Sequence, residues 1–241
     1  MNKFELVDDF LVYDDKRFKI VISTAEKGRN FNRHTEDGVN TLQNLKKEFD
    51  VDEVVYLRQV HSDFIFKYDG QRVEDFIENE GDAIISDVKN TAIGIFTADC
   101  VPVIIIDKKK GVASAIHSGW KGTYESISKK AVEKLFNEYG SNKEDLLVVI
   151  GPHIRRCCYE VSEELKEKFL NKTHISEDVL FDGRNLSMEE VITKDLLEEG
   201  ILEENIINLK LCTYCSKEIK LHSYRKSNGD YGRLFTFFIL K

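Results

Sequence analysis

Residues 92–123 read AIGIFTADCVPVIIIDKKKGVASAIHSGWKGT, and this stretch decides the architecture of the chain. Two apolar runs in it, residues 92–96 and 111–116, each lead into a chemically capable side chain: Cys100 follows the first and His117 the second. A sheet fixes a side chain at its strand end, and a following turn exposes that side chain. We therefore expect a functional site where these buried strands end.

A third strand end lies upstream, where residues 54–57 lead through Arg58 and Gln59 to His61. A thiolate and two imidazoles are good ligands for Zn²⁺ and also for copper. Three protein ligands leave a fourth position for water or substrate, which is the pattern of a catalytic metal site. The spacing of His61, Cys100 and His117 matches no short ligand motif.

The same residues permit a second chemistry. Cys100 and His117 can form a thiolate–imidazolium pair, the nucleophile of cysteine hydrolases, with Asp82 or Asp99 orienting the imidazole. The simplest interpretation is two structural histidines and a buried cysteine. The residues alone leave all three interpretations open.

Length and charge limit the classes of protein to consider. The 241 residues contain two prolines and no repeat or proline-rich linker, which favours a single domain over residues 1–241. A net charge of −8 disfavours binding to nucleic acid or to an anionic membrane surface. The longest apolar run, residues 101–106, is far shorter than the roughly 20 residues that span a bilayer.

Residues 1–15 show no apolar segment behind a basic start, so we expect no secretory signal and a cytoplasmic protein. Five cysteines, an odd number, then indicate reduced thiols or metal ligands rather than disulfides. Cys212 and Cys215 form a C-x-x-C pair, and Cys157 and Cys158 could complete a set of four. We interpret these four as buried structural thiols.

Hydrophobic periodicity predicts an irregular alternation of strands and helices, hence an α+β fold with a mixed sheet. The predicted strands are residues 18–22, 53–61, 83–85, 146–150, 206–211 and 234–240. The predicted helices contain residues 42–49, 127–136, 162–169 and 191–197, with Thr123 as an N-cap and Gly140 as a C-terminal stop. Residues 23–40 are polar and predict a loop.

The turn after His117 enters a helix, and backbone N–H groups there, with Lys121 nearby, suit a phosphate or a carboxylate. The glycine–lysine spacing of a P-loop is absent. Arg58 and Arg225 are further candidates for anion binding, although surface solubility explains an isolated cation equally well.

Several segments together resemble the YfiH/YlmD family, which is described as multicopper polyphenol oxidoreductase (laccase) and as peptidoglycan editing factor. They appear in family order from about residue 55 onward. The matching segments are RQVH at 58–61, GDA at 81–83, ADCVPV at 98–103, AIHSGWKGT at 115–123, GPHI at 151–154, CYEV at 158–161, CT at 212–213 and SYR at 223–225.

The resemblance implies metal ligands at His61, Cys100 and His117, with zinc as the expected ion and copper as an alternative. It implies phosphorolysis of purine nucleosides such as adenosine and inosine, with adenosine deamination as a further activity. The implied partners are a purine nucleoside and phosphate. The implied substrate contacts, on the matching segments, are Arg58, Gln59, Asp82, Asp99, Lys121 and Arg225.

The resemblance also implies a layered α/β/β/α sandwich, similar to the catalytic domain of cytotoxic necrotising factors, which are cysteine deamidases. Lys121 stands where the family usually has arginine. A lysine keeps the positive charge but cannot bind phosphate through two parallel hydrogen bonds as arginine does. Ser118 replaces the usual alanine. The family's N-terminal Arg-x-Gly-Gly segment and its Asn-Arg pair are not recognised in residues 23–45.

Three alternative functions accompany this expectation. A metal-free Cys100–His117 hydrolase or amidase could act on a cell-wall precursor. A laccase-like copper oxidoreductase is disfavoured as a full multicopper enzyme, because the chain has six histidines and no His-x-His pair. The third alternative is a non-catalytic protein that binds purine nucleosides.

Overall fold

The computed structural model describes residues 4–227 and 232–241. In this part of the chain the strands are β1 (Glu5–Val7), β2 (Phe10–Asp14), β3 (Phe18–Ser23), β4 (Glu53–Val55), β5 (Ile65–Tyr68), β6 (Ala83–Ser86), β7 (Thr91–Thr97), β8 (Val101–Asp107), β9 (Val112–Ser118), β10 (Leu146–Ile150), β11 (Phe181–Asp182), β12 (Asn185–Leu186), β13 (Ile206–Asn208) and β14 (Leu234–Leu240). Residues 1–3 and 228–231 lie outside the described residues. The prediction that residues 1–15 hold no secretory signal and the prediction of a single domain over residues 1–241 fall partly on them.

The α-helices of the described residues are α1 (Glu36–Phe49), α2 (Val73–Phe76), α3 (Trp120–Tyr124), α4 (Ile127–Tyr139), α5 (Glu163–Thr173), α6 (Glu177–Leu180), α7 (Met188–Glu198) and α8 (Tyr224–Ser227). Among residues 4–227 and 232–241, each helix is too short or too polar to cross a bilayer.

The strands pair into two six-stranded sheets and one small hairpin. The first sheet has the order β1-β2-β3-β14-β7-β4, and the second has the order β13-β10-β8-β9-β6-β5. Both are mixed: β4 runs parallel to β7, β5 to β6 and β13 to β10, whereas the other pairs are antiparallel. The predicted α+β class with mixed sheets is confirmed.

Three apolar cores separate four layers. One core lies between the two sheets, where Ile93 and Ile95 of β7 meet Ile104 and Ile106 of β8. A second packs the outer face of the second sheet against α4 and α7, and a third packs the first sheet against α1. The layers therefore follow the order α/β/β/α. The likeness to the necrotising factor domain stays a prediction.

The apolar run at 101–106 is explained by burial on both faces of β8. Side chains alternate across a strand, so Val103 and Ile105 enter the core beside α4 while Ile104 and Ile106 enter the core between the sheets. A strand in such a position needs apolar residues throughout rather than at every second place.

Several predicted boundaries were wrong. The loop predicted at 23–40 ends early, because Thr35 accepts a hydrogen bond from the backbone N–H of Gly38 and starts α1. The strand predicted at 53–61 stops at Val55, and the one predicted at 206–211 stops at Asn208. Thr123 is not an N-cap: it lies inside α3, and Ser126 precedes α4. Gly140 ends α4 in the left-handed conformation, as predicted.

Candidate active site

Asp82 organises the loop that carries His61. Its carboxylate accepts hydrogen bonds from the backbone N–H of His61 at 3.1 Å, and from the backbone N–H and hydroxyl of Ser62 at 2.5 and 2.7 Å. His61 itself has a left-handed backbone with φ of 60°. Such a conformation is costly for a residue with a Cβ, so these hydrogen bonds fix a loop that would otherwise relax.

Asp82 also orients His117. The buried His117 ring, at the end of β9, places Nδ1 2.7 Å from the Asp82 carboxylate. Burial opposes the ionisation of Asp82, but hydrogen bonds and charge from His117 and hydrogen bonds from Ser62 hold the pKa of the carboxyl below its ordinary 3.8. A histidine whose Nδ1 is engaged by a carboxylate presents Nε2 for other chemistry.

Cys100 completes the group from the turn between β7 and β8. Its sulfur lies 3.8 Å from His61 Nε2, and the ligand atoms of His61, Cys100 and His117 all lie within 4.8 Å of one another. The two imidazole rings meet edge to face, with their centroids 4.9 Å apart. The structure thus brings together the three side chains that the sequence places at separate strand ends.

The electrostatics of this group favour a thiolate. Burial alone would raise the pKa of Cys100, but His117 and His61 lower it from 9.0 to about 6. Burial likewise opposes the charge on His117, while Cys100 and Asp82 raise its pKa from 6.5 to about 9. Both shifts have the same origin, which is the attraction between a buried thiolate and a buried imidazolium.

The donor set fits a zinc ion. A thiolate and two imidazoles are preferred zinc ligands, and the carboxylate behind His117 is the second-shell partner that such sites commonly carry. Gly119 keeps the space clear: a Cβ there would lie 2.9 Å from His61 Cδ2 and 3.1 Å from Cys100 Sγ. Any larger residue at this position would therefore displace a ligand.

The three side chains form part of the wall of a cavity of about 490 Å³. Among the described residues, three arginines also line it: Arg33, Arg225 and Arg233. Aromatic side chains supply much of the remaining wall, namely Phe31, Phe96, Trp120, Tyr159 and Tyr224. The cavity therefore combines a thiolate–imidazole cluster, cationic groups and aromatic faces in one space.

Three of the six predicted substrate contacts line this cavity. The Gln59 amide pairs in both directions with the backbone of Phe96, at 2.8 and 2.7 Å. The Asp99 carboxylate accepts from the Thr213 hydroxyl at 2.6 Å and from the backbone N–H of Arg225 at 2.7 Å. The Arg225 guanidinium donates to the carbonyl of Glu160 at 3.0 Å.

The other three lie elsewhere. Asp82 is fully buried behind the histidines and is not part of the cavity lining. Arg58 is 58% exposed, pairs with Glu80 at 3.5 Å and also lies outside the lining. Lys121 lines an adjacent depression instead, with its ammonium group 5.7 Å from the centre of the Trp120 ring. The structure does not bring Arg58 and Lys121 into the cavity.

Sequence reasoning missed part of the cavity wall. Asn32 and Arg33 line it, although residues 23–40 were interpreted only as a polar loop. The Arg33 guanidinium donates to the carbonyl of Leu57 at 2.6 Å and lies 5.5 Å from the centre of the Phe96 ring. An Asn-Arg pair just before the N-cap Thr35 was the available signal.

The sequence profile of the family described as multi-copper polyphenol oxidoreductase laccase matches residues 21–241. The chain belongs to this family. A similar protein, named purine nucleoside phosphorylase, comes from Clostridium acetobutylicum and is 44% identical over 232 residues, covering 96% of both chains. Adenosine deaminase RL5, from an unknown prokaryotic organism, is 29% identical over 78% of this chain and 75% of its own length.

Among solved structures, the crystal structure of the hypothetical protein YfiH of Bacillus licheniformis is similar over 100% of both chains, with a TM-score of 0.90 and 28% identity. The predicted resemblance to YfiH and YlmD proteins is therefore confirmed. These two relatives are named for reactions of purine nucleosides, whereas the family description names a polyphenol oxidoreductase.

Proposed function

We propose that this protein is a purine nucleoside phosphorylase that acts on adenosine or inosine, with adenosine deamination as a second activity. One observation carries the proposal: His61, Cys100 and His117 line a single cavity together with Arg33 and Arg225. The activity names of the relatives support the same reaction class.

The cavity suits a nucleoside in size and lining. A volume of about 490 Å³ lies within the range of small-molecule pockets, roughly 300 to 1,000 Å³. The rings of Tyr159 and Tyr224 offer apolar faces on which a purine can stack. The Asn32 side chain, also in the wall, can donate to or accept from a base edge or a ribose hydroxyl.

The arginines supply the cationic part of the site. Burial first, and then the positive charges of Arg233 and Arg58, lower the pKa of Arg33, so the cations repel one another in the absence of an anion. Phosphate would relieve this repulsion, and guanidinium groups bind it bidentately. We therefore assign the phosphate contact to Arg33, Arg225 and Arg233 rather than to Arg58 or Lys121.

His61, Cys100 and His117 would hold a zinc ion, with copper as the alternative, and Asp82 would keep the His117 ring oriented. A bound metal ion would supply positive charge that stabilises negative charge developing on the substrate. Gln59 and Asp99 hold the cavity wall through the backbones of Phe96 and Arg225, which fixes the position of the surrounding side chains.

Phosphate dependence tests the proposal. Purified protein is given inosine or adenosine with and without phosphate, and base and pentose phosphate are separated by chromatography. We expect both products only with phosphate, because phosphate is the nucleophile. Release of free base at the same rate without phosphate would exclude phosphorolysis.

A matched pair of variants tests the phosphate contact. Arg33→Gln is expected to raise the KM for phosphate by about tenfold or more, since a charge-assisted hydrogen bond contributes about 1.5–3 kcal/mol. Arg58→Gln removes the same charge from outside the cavity and should change this KM less than about twofold. The reverse order would restore the sequence-based assignment to Arg58.

A metal-free cysteine hydrolase is the second candidate. The observation that favours it is the Cys100–His117–Asp82 series, with a Cys100 pKa of about 6 and a His117 Nδ1 2.7 Å from the carboxylate. Chelation and alkylation separate the two candidates. Full activity after dialysis against a chelator, with complete loss after thiol alkylation, would favour the hydrolase.

A further inference from the structure

A second group of metal-binding side chains lies away from His61. Four cysteines, two from each of two distant segments, bring their sulfur atoms within 4.8 Å of one another: Cys157, Cys158, Cys212 and Cys215. We propose that these four thiolates hold a structural zinc ion. This proposal goes beyond the proposed function and concerns a different site.

The distance between sulfur atoms fits a shared zinc ion better than a disulfide bond. A tetrahedral ion with Zn–S bonds of about 2.3 Å places neighbouring sulfur atoms about 3.8 Å apart. The sulfur atoms of Cys157 and Cys215 are 3.6 Å apart, whereas a disulfide requires about 2.05 Å. All five cysteines of the chain are free thiols in the structure.

The C-x-x-C pair lies on a single turn of the backbone. Cys212 and Cys215 are joined by a tight turn, with the N–H of Ser216 bonded to the carbonyl of Cys212 at 3.0 Å. This turn brings the sulfur atoms of Cys212 and Cys215 within 4.8 Å of each other. A C-x-x-C turn commonly supplies two of the four ligands of a structural zinc ion.

The donor set indicates a structural rather than a catalytic ion. Four thiolates close a tetrahedral zinc site and leave no position for substrate, in contrast to the three ligands at His61, Cys100 and His117. Binding would release the thiol protons to solvent and leave a negatively charged cluster.

The ion would join the segment after β10, which contributes Ile154 and Tyr159 to the cavity wall, to the segment after β13. Cys157 and Cys158 follow β10, and Cys212 follows β13. The two segments already meet where the Thr213 N–H bonds the carbonyl of His153 at 3.0 Å. Because the Thr213 hydroxyl bonds Asp99 at 2.6 Å, an ion at Cys212 would brace the turn that carries Cys100.

Measuring the zinc content of the protein tests the proposal directly, without any activity assay. Protein purified under reducing conditions should contain about two zinc ions per chain by elemental analysis, one at each site. The double variant Cys212→Ser/Cys215→Ser should contain about one, as should the matched variant His61→Ala/Cys100→Ser. The proposal would be overturned if the Cys212→Ser/Cys215→Ser variant contained as much zinc as the wild type.

Alkylation of the unmodified protein covers the case in which the variant fails to fold. Peptide mass spectrometry should show Cys157 and Cys215 protected from iodoacetamide until a chelator is added, although both are exposed in the structure. Immediate alkylation, or a Cys157–Cys215 disulfide in freshly purified protein, would refute a zinc site. Neither result bears on phosphorolysis, which is measured separately at the His61 site.

Discussion

At the scale of single residues, Asp82 connects the two histidines of the candidate active site. It bonds the backbone of His61 on one side and the ring of His117 on the other, and it is fully buried. A group so placed touches neither the cavity nor a substrate. We interpret Asp82 as a positioning residue, although the sequence predicted a substrate contact.

The variant Asp82→Asn tests this role. It keeps the shape of the side chain but removes the charge that holds the His117 Nδ1–H, so zinc affinity should fall by about 10- to 100-fold. Competition with a chromophoric chelator measures the affinity. Asp63→Asn is the matched control, because Asp63 lies in the loop that carries His61 and pairs with the half-buried Lys130. Equal affinity in the Asp82 variant and the wild type would refute the assignment.

The residues of the cavity differ in how well the sequence predicts them. β8 and β9 pair Val101 with Ser118, which brings Cys100 and His117 to the same end of the second sheet. Both residues border apolar runs that predict buried strands, so their place at strand ends was predictable. Arg33 was not, because its segment reaches the cavity through a close approach of the Asn32 backbone to Gly38 at the start of α1. That approach depends on the fold, and the local sequence is simply polar.

At the scale of elements, strands buried on both faces were predicted well and short or capped elements poorly. The runs that became β8, β10 and β14 are apolar except for Asp107 and Thr236, which admits few alternatives. β4 ends at Val55 because the chain then turns to present His61, a course set by the buried Asp82 rather than by residues 56–60.

Helix α5 offers a test of local stabilisation. The side chain of Ser162 accepts a hydrogen bond from the backbone N–H of Leu165, so Ser162→Ala should lower the free energy of unfolding by about 1 kcal/mol. Ser176 precedes α6 without such a bond, and Ser176→Ala should change it by less than about 0.5 kcal/mol. Urea titration measures both variants. Similar losses in the two would show that the Ser162 cap is not the cause.

At the scale of the whole molecule, the last strand closes the fold between segments that are remote in sequence. β14 lies between β3 and β7 in the first sheet, so the C-terminal residues join the N-terminal strands to the strand that precedes Cys100. Before α8, His222 Nε2 lies 2.8 Å from the carbonyl of Arg29. The N-terminal and C-terminal parts of the cavity wall are therefore held together at this contact.

This contact gives the stability of the molecule a dependence on pH. Burial, together with the charges of Lys220 and Arg233, lowers the pKa of His222 below 6.5 and outweighs its bond to Arg29. The unfolded chain binds a proton at about pH 6.5, whereas the folded chain binds it only at lower pH. Stability contributed by neutral His222 is therefore complete above that value and declines as the pH falls through the interval between the two pKa values.

Replacing His222 by glutamine isolates this contribution. Glutamine keeps an N–H donor for the Arg29 carbonyl but does not titrate, so His222→Gln should lose less stability than the wild type between about pH 7.5 and about pH 5.5. Buried His153, whose pKa is also lowered by burial, acts in the same direction in both proteins and cancels in the comparison. Urea unfolding at the two pH values supplies the four free energies. An identical decline in both proteins would place the acid sensitivity at other groups.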